Sequence, residues 1–254
     1  MLTLGAAGSA QPADWQLERR EFSYRASEIG ALHLVNNFGD IRLRAGEGSA
    51  ILISALVQHH ADDARQLEVS ANTIGGVLSV ELRFDDSLEA PVDRSWPPRR
   101  IDLGIFVPAT VAATLTTGSG LIELRDLVAT AKLETASGAI DVETLGGLTA
   151  RTESGNIRAQ LQRSNWPELV SLESVTGNLR VELLRGAKAS VVLETRGAIT
   201  TDYSLQIERA ADSLFKRGQS EIGGGGQRLS LISNRGAIRL MAVIVPEKEA
   251  ANEQ

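Results

Sequence analysis

The stretch Thr135-Ala-Ser-Gly-Ala-Ile140 is one copy of a short phrase that recurs along the second half of the chain. Each copy has a hydroxyl residue, a glycine within the next three positions, and an isoleucine or leucine two positions after that glycine. The other copies are Thr117-Gly-Ser-Gly-Leu-Ile122, Thr152-Glu-Ser-Gly-Asn-Ile157, Ser174-Val-Thr-Gly-Asn-Leu179, Thr195-Arg-Gly-Ala-Ile199 and Ser233-Asn-Arg-Gly-Ala-Ile238, with an earlier relative at Phe38-Gly-Asp-Ile41. This recurrence indicates a repeated structural unit.

The spacing of the copies predicts how the unit repeats. Gly120, Gly138, Gly155, Gly177 and Gly197 are 18, 17, 22 and 20 residues apart, and Gly236 follows after 39, close to two periods. A period of about twenty residues is typical of a solenoid, in which successive turns of chain stack on one another. Each glycine is expected where the backbone needs a positive φ angle or room for a close neighbour.

Apolar and polar residues alternate after each glycine, as in Ile140-Asp-Val142. A second apolar run precedes each corner and contains, in successive repeats, Leu133, Leu148, Leu172, Val191 and Leu229. This alternation predicts two strands per repeat, each with one buried face. The predicted fold is one elongated all-β domain, a single-stranded parallel β-helix or β-solenoid of about eight or more rungs.

The ends of the pattern predict the domain boundaries. Residues 29–245 are expected to form the solenoid, with degenerate N-terminal rungs at 32–43, 50–57, 77–84 and 101–107, and residues 246–254 a disordered tail. Residues 1–28 are interpreted as a truncated signal-peptide remnant or flexible N-terminus plus a lead-in strand, because small residues lead to a cleavage motif after Ala10.

Two insertions interrupt the repeats and are predicted to be external loops. The first covers residues 85–100 and contains Trp96; the second starts at Asp202 and ends at Gln227. Helical spacing of apolar residues within 206–217 predicts a short amphipathic helix in the second insertion. The run Gly223-Gly-Gly-Gly226 is interpreted as a flexible, hairpin-like return, because the Lys-Ser/Thr of a phosphate-binding loop is missing.

Composition excludes several classes of protein. The 254 residues carry 26 basic and 32 acidic side chains, a net charge of −6, without the basic stripe that nucleic acids require. The chain has no cysteine, which removes disulfides and thiol chemistry, and no apolar stretch of the roughly 18 to 20 residues that span a membrane. Only 4% of residues are aromatic, which suits a narrow aliphatic core.

Candidate metal ligands occur together only at His59-His60-Ala-Asp62-Asp63, while His33 lies alone in a strand pattern. Adjacent side chains on a strand point to opposite faces, so a solvated turn is the preferred interpretation and a metal site the alternative. We assign no catalytic, cofactor-binding or metal-binding residue.

Hydroxyl and carboxylate residues recur near the corners. Ser119, Ser137, Ser154 and Thr176 are predicted to form a structural ladder rather than to include a nucleophile. Glu134, Glu153, Glu173 and Glu194 are interpreted as a solvated surface, in differing registers, whose charge is compensated by Arg151 and Arg196. The alternative is a column of acidic residues, as in a carbohydrate-active enzyme.

Two tryptophans fall in irregular segments, Trp96 in the first insertion and Trp166 in the longest ordinary interval between repeats. We expect each ring to cap the core beneath its loop, because large aromatic side chains are usually mostly buried. The alternative is an exposed ring that stacks on a carbohydrate or a protein partner.

The corner phrase, Val107-Pro108 before its first strong copy, and the glycine-rich run followed by Leu229-Ser-Leu-Ile-Ser-Asn-Arg-Gly-Ala-Ile238 together resemble the bacterial DUF4097-type adhesin domain family. The resemblance covers roughly residues 30–243 and implies an exported or envelope-associated β-solenoid without an established activity. Asp follows the glycine only at Asp40, where the commoner family form has Ser-Gly-Asp-Ile, so a stacked-Asp cation site is not expected.

The predicted function is a non-enzymatic binding or scaffold protein of the periplasm, cell surface or extracellular medium, with the cytoplasm as the alternative compartment. Its expected partner is a protein or polysaccharide of the cell envelope, not nucleic acid, and no cofactor is expected. Two alternatives remain open: a polysaccharide lyase or hydrolase on a β-helix, and a structural module that self-associates through its ends or faces.

Overall fold

The computed structural model describes residues 15–63, 65–85, 98–164, 166–209 and 213–243, which form an all-β structure. Among them the only helical element is a 3-10 turn at Ala26–Glu28. The strands are β1 (Trp15–Arg25), β2 (Ala31–Asn36), β3 (Ile41–Gly46), β4 (Ala50–His60), β5 (Leu67–Ile74), β6 (Val77–Phe84), β7 (Arg100–Pro108), β8 (Ala112–Thr117), β9 (Ile122–Leu127), β10 (Ala131–Thr135), β11 (Ile140–Thr144), β12 (Leu148–Thr152), β13 (Ile157–Leu161), β14 (Val170–Ser174), β15 (Leu179–Leu184), β16 (Ala189–Thr195), β17 (Ile199–Thr201), β18 (Gln206–Glu208), β19 (Lys216–Ile222), β20 (Gln227–Ser233) and β21 (Ile238–Val243).

The strands form two large sheets with one aliphatic core between them. Sheet A has ten strands in the order β1-β4-β7-β3-β9-β11-β13-β15-β21-β17. Sheet B has eleven in the order β18-β19-β16-β20-β14-β12-β10-β8-β2-β6-β5. In the middle of the molecule the chain alternates between the sheets, so that each repeat contributes one strand to each; such a pair is called a rung below.

Neighbouring rungs pair in parallel and in register. Ile140 on β11 lies between Ile122 and Ile157, and Leu133 on β10 lies beside Ala150 on β12. All five side chains are at most 1% exposed. The predicted inward faces and the two strands per repeat are therefore confirmed in this region.

Within the described ranges, eight rungs stack in the spatial order β6/β7, β2/β3, β8/β9, β10/β11, β12/β13, β14/β15, β20/β21 and β16/β17. At the ends, additional strands pair antiparallel: β4 and β1 extend sheet A, β5 extends one end of sheet B, and β19 and β18 extend the other end. The sheets are therefore mixed, whereas the repeat pattern had predicted a wholly parallel coil.

The spatial order of the rungs differs from their order along the chain at both ends. The last rung, β20/β21, pairs on one side with β14/β15 and on the other with β16/β17, which precedes it in sequence. Likewise, β6/β7 lies outside β2/β3, although the chain reaches it second. The interval of 39 residues before Gly236 thus reflects a chain that leaves the stack and returns to an inner position.

The glycine run at 223–226 makes this return. It connects β19 and β20, which lie on opposite sides of β16, so the chain crosses the start of β16 instead of turning back as the predicted hairpin. Gly223, Gly224 and Gly225 have positive φ angles, and a Cβ on Gly226 would lie 2.5 Å from the carbonyl oxygen of Lys188. Only glycine combines these angles with so close a crossing.

The corner glycines form a column that runs through the stack. A Cβ added to any one of them would overlap the carbonyl group of the neighbouring rung, and none has a positive φ angle, so room for a close neighbour explains them. The column contains, in spatial order, Gly39, Gly120, Gly138, Gly155, Gly177, Gly236 and Gly197.

A column of buried hydroxyl groups accompanies the glycines. The Thr152 hydroxyl donates to the carbonyl oxygen of Gly138 at 3.1 Å and accepts from the amide of Gly155 at 3.0 Å. Thr135, Ser174, Ser233 and Thr195 bridge rungs in the same way. The predicted ladder of Ser119, Ser137, Ser154 and Thr176 is not this column: all four residues are exposed, and of their hydroxyls that of Thr176 bonds the neighbouring rung, at 3.3 Å to the carbonyl oxygen of Glu153. The buried bridging hydroxyl instead belongs to the first residue of the phrase.

Other predictions for the irregular segments have mixed outcomes. Residues 206–208 and 216–222 form strands β18 and β19, so the predicted helix over 206–217 is wrong, and the second insertion extends sheet B. Trp166 is 1% exposed and packs in the core, as predicted. Trp96, the motif ending at Ala10 and the tail at 246–254 lie outside the described residues.

Ile140→Asp should unfold the middle of the stack, at a cost of about 4 kcal/mol or more, because it places an unpaired carboxylate in an apolar column. Asp141→Ala should cost at most about 1 kcal/mol, since its ion pairs with Arg125 and Arg158 are partly exposed. Denaturant unfolding followed by circular dichroism measures both values. Equal losses would show that the two faces are assigned wrongly.

Thr152→Val should lower the free energy of unfolding by about 1 to 3 kcal/mol, because it leaves the carbonyl of Gly138 and the amide of Gly155 without the bridging hydroxyl. The matched control is Ser154→Ala, which removes an exposed hydroxyl from the same corner and should change stability by less than about 0.5 kcal/mol. If both variants unfold at the same denaturant concentration, the hydroxyl column does not stabilise the stack.

Candidate functional site

The parallel register places three arginines side by side on the outer face of sheet A. Arg158 on β13 lies next to Arg180 on β15, which lies next to Arg239 on β21. Adjacent strands are about 4.8 Å apart, so the three side chains leave the sheet as one row. Arg239 forms no ion pair with any described residue.

A buried carboxylate fixes two of these arginines. Glu182 lies on the outer face of β15, yet only 5% of it is exposed. One oxygen accepts from Nε of Arg180 at 2.7 Å, and the other accepts from Nη2 of Arg158 at 3.2 Å. The hydrogen bond to Glu182 raises the pKa of Arg158 above its ordinary value. Both guanidinium groups keep further donors, because each carries five. One nitrogen of Arg158 also lies 3.8 Å from the carboxylate of Asp141.

The arginine row borders an open groove of about 440 Å³ across the starts of β11, β13, β15 and β21. Its lining includes the small side chains Ala139 and Ala237 and the exposed side chains Asn156 and Asn178. The groove crosses the strands, so it runs along the stack. We call it the arginine groove.

The two asparagines connect consecutive rungs. The Oδ1 atom of Asn156 accepts from the amide of Asn178, and the Oδ1 atom of Asn178 accepts from the amide of Ala237, both at 2.8 Å. These bonds use the amide oxygens, while neither Nδ2 atom has a hydrogen-bond partner among the described residues. The groove thus offers amide donors beside guanidinium donors.

The repeat phrase contained a signal for this row that our sequence analysis missed. Arg158, Arg180 and Arg239 each stand three positions after a repeat glycine, as do Asp141 and Glu123. What the sequence did not reveal is that the rung with Arg239 lies next to the rung with Arg180.

At the other end of sheet A, acidic and basic groups neutralise one another. Asp102 accepts from the amide of Asp40 at 2.9 Å, and Arg100 bonds both carboxylates, at 2.8 Å to Asp102 and 2.9 Å to Asp40. Arg42 also contacts Asp40, at 2.8 Å. The two stacked aspartates are therefore occupied by guanidinium groups.

The predicted solvated turn forms at Ala61 and Asp62, which are both exposed, but it does not extend to Asp63. Asp63 is buried rather than solvated: its carboxylate bonds Arg65 at 2.8 and 3.0 Å, and Nε of Arg99 lies 3.6 Å away. The ring of His60 packs edge-on against Trp15. Within the described ranges, no three His, Asp or Glu side chains are grouped so that they could bind a metal ion.

The corner glutamates belong to the charge-compensated surface that the sequence predicted. Glu134 and Glu173 flank Arg151 on the outer face of sheet B, and Glu194 contacts Arg217 at 3.1 Å. These three glutamates share one face after all, whereas Glu153 lies exposed in the corner that follows β12.

No family model matches the sequence, and no curated protein matches it. Several solved structures are similar over nearly the whole chain. A provisionally assigned cell adhesion protein from Clostridium sporogenes has 12% identity and a TM-score of 0.49, with 90% of this chain and 100% of that chain covered. A provisionally assigned adhesin from Bacteroides fragilis has 10% identity and a TM-score of 0.40, with 90% and 97% covered.

A third similar structure is a provisionally assigned lipid-binding protein from Parabacteroides distasonis, with 12% identity and a TM-score of 0.35, over 89% of this chain and 96% of that chain. Within the part of the chain that the structure describes, no helix has the length and hydropathy needed to cross a membrane.

Asp102 should make the stability of the protein depend on pH. Burial acts to raise the pKa of Asp102, but hydrogen bonds from Arg100 and from the amide of Asp40, with the charges of Arg100 and Arg42, lower it below its ordinary value. A lowered pKa stabilises the fold above the unfolded-state value of about 3.9, and this contribution is lost as the pH falls through the folded-state pKa.

Asp102→Asn should therefore lose less stability than the wild type between pH 6 and pH 2. Urea unfolding at intervals of half a pH unit measures this slope. A variant whose stability falls as steeply as that of the wild type would show that the Asp102 carboxylate contributes nothing to acid sensitivity.

Proposed function

We propose that this chain is a non-enzymatic binding protein that holds an anionic polysaccharide of the cell envelope in the arginine groove. The observation that carries the proposal is the row of Arg158, Arg180 and Arg239, with two of the three fixed by the buried carboxylate of Glu182. Guanidinium groups bond carboxylates and phosphates with two parallel donors, so a row of them favours a ligand with repeated negative charges.

Preorganisation supports a binding role. A free arginine loses side-chain entropy when it is immobilised on a ligand, a cost of about 0.5 to 1.5 kcal/mol for each side chain. Glu182 already fixes Arg158 and Arg180, which reduces that cost. The groove is also open along the stack, and this shape fits a linear polymer better than a compact small molecule.

The amide donors of the groove favour a carbohydrate ligand. Asn156 and Asn178 are exposed beside the guanidinium row, and the Nδ2 group of each has no hydrogen-bond partner among the described residues. Sugar hydroxyl and ring oxygens accept such hydrogen bonds, while the carboxylates of an acidic sugar pair with the arginines. An acidic polysaccharide therefore uses both kinds of donor.

The carboxylates of the described residues favour binding over hydrolysis. A glycosidase needs an acid whose pKa is raised, close to a second carboxylate. Here the carboxyl groups with a resolved shift, those of Glu18, Asp63 and Asp102, all have lowered pKa values because arginines bond them. Asp40 and Asp102 do lie together, but Arg100 bonds both carboxylates.

The remaining parts of the proposal concern architecture and location. The repeated rungs, the glycine column and the resemblance to DUF4097-type domains support a β-solenoid over residues 29–245, with residues 1–28 as a lead-in and 246–254 as a tail. An envelope location, in the periplasm, on the cell surface or outside the cell, follows from the proposed ligand, since acidic polysaccharides are components of that compartment.

The triple variant Arg158→Ala/Arg180→Ala/Arg239→Ala should bind polygalacturonate at least about tenfold more weakly than the wild type at low ionic strength, a loss of about 1.4 kcal/mol or more. Isothermal titration calorimetry, with neutral dextran as the uncharged probe, measures the effect. The matched control is Arg151→Ala/Arg217→Ala/Arg228→Ala, which removes three exposed arginines from sheet B and should bind like the wild type.

The affinity of Glu182→Gln for polygalacturonate distinguishes binding by immobilised guanidinium groups from attraction by net positive charge alone. The change makes the face more positive by one charge, so simple electrostatic attraction would strengthen binding. Fixed guanidinium groups predict weaker binding instead, because Arg158 and Arg180 lose their shared charged acceptor. Wild-type binding by both the triple variant and Glu182→Gln would exclude the arginine groove as the site.

A further inference from the structure

Among the described residues, strand β1 is the outermost strand of sheet A on its side, and one of its two edges is unpaired. It pairs along all eleven residues with β4, and its other edge faces no strand among the described residues. An edge of this length presents a row of backbone donors and acceptors that another strand can pair with.

Sheet A extends one strand further than sheet B at this end. Beyond the rung β6/β7, sheet A adds β4 and β1, whereas sheet B adds only β5. The inward side chains of β1, Phe22 and Tyr24, are consequently only half-buried. Because the described part of sheet B stops short of β1, a strand added beside β1 has room on that side of the sheet.

The sequence of β1 is complementary to itself when two copies run antiparallel about Arg20. This register uses the whole strand and sets Arg19 opposite Glu21 of a second copy, and Glu21 opposite its Arg19. It also sets Trp15 opposite Arg25, an arrangement that favours a cation–π contact. We propose that two copies of this chain form a homodimer by pairing their β1 strands in this register, so that two sheets A become one continuous sheet.

The ion pairs that the charged residues of β1 form, or do not form, within one copy support this register. Arg19, Glu21 and Arg25 form no ion pair with any described residue, although all three lie exposed on the edge strand. Glu18 and Arg20 on the opposite face already bond each other, at 2.8 Å. The two Arg20 side chains meet at the symmetry axis, and the charge of each is compensated by Glu18 of its own copy. Opposite charges directly across a strand pair stabilise it, whereas like charges oppose it.

The symmetry axis of such a dimer is perpendicular to the sheet, because both strands keep the same face outward. The outer faces of the two sheets A then point the same way, and so do the two arginine grooves. This dimer does not depend on the proposed function, but it would let one polymer contact two sites, which raises the apparent affinity without any new contact.

A charge-swap series tests the proposal by light scattering after size-exclusion chromatography. The wild type should elute as a dimer of twice 27.1 kDa. Arg19→Glu and Glu21→Arg should each weaken dimerisation at least about tenfold, because each single change creates two like-charge pairs. The double variant Arg19→Glu/Glu21→Arg should restore the dimer, since it recreates both pairs with their signs exchanged.

The control for charge alone is Arg228→Glu, an exposed residue of sheet B, which should remain dimeric. A monomeric wild type would overturn the proposed dimer. Single variants as dimeric as the wild type, or a double variant that stays monomeric, would overturn the register. Calorimetry with polygalacturonate on the monomeric single variants tests the groove separately, since its three arginines are unchanged.

Cross-linking checks the register directly, because the chain has no cysteine of its own. Arg20→Cys places two thiols at the symmetry axis, where Cα atoms across an antiparallel pair are about 4.5 to 5.5 Å apart, within the range of about 4.4 to 6.8 Å that a disulfide needs. Arg20→Cys should form a covalent dimer on oxidation. Ser23→Cys, opposite Leu17, should not; equal cross-linking of the two would overturn the proposed pairing.

Discussion

The structure depends on how closely one rung can approach the next at the corners. An added Cβ at any repeat glycine would overlap the carbonyl group of its neighbour, so the rungs stack in register only where the corner residue has no side chain. A buried hydroxyl precedes six of the seven glycines and bonds the neighbouring rung, as Thr152 does at Gly138, while the amide of Asn36 takes its place before Gly39. This pair of columns fixes the register, and the register aligns the apolar side chains inside and the charged rows outside.

Local pattern was sufficient to predict the rungs but not their order. Ile140 and Leu133 were assigned to the core from alternation alone, because the side-chain period of a strand is two. No local signal showed that residues 227–243 return to a position between two earlier rungs, since every rung presents similar edges. The helix predicted over 206–217 was wrong because its apolar spacing was weak evidence beside the unpaired edge of β16, which β19 covers.

The candidate site was likewise not predictable from local sequence pattern. Arg158, Arg180 and Arg239 each stand three positions after a repeat glycine, but other repeats have Glu123, Asp141 or Thr200 there, so the pattern alone does not mark a site. Two features of the site depend on the three-dimensional arrangement of the rungs. Arg180 and Arg239 are neighbours only because of the changed rung order, and Glu182 is buried at a point where arginines from two rungs bond it. Both the charge of Glu182 and its outward position in the strand alternation suggested that its side chain is solvated.

The interleaved last rung has a consequence for synthesis of the chain. Residues 189–201 leave the ribosome before residues 227–243, yet among the described strands they are linked to the earlier rungs by pairing only through that later segment. Growth from one end, which is available to a repeat protein whose neighbours follow one another in sequence, therefore stops at β15. The C-terminal third must be fully translated before it can close, and these late, distant contacts favour slow completion of folding.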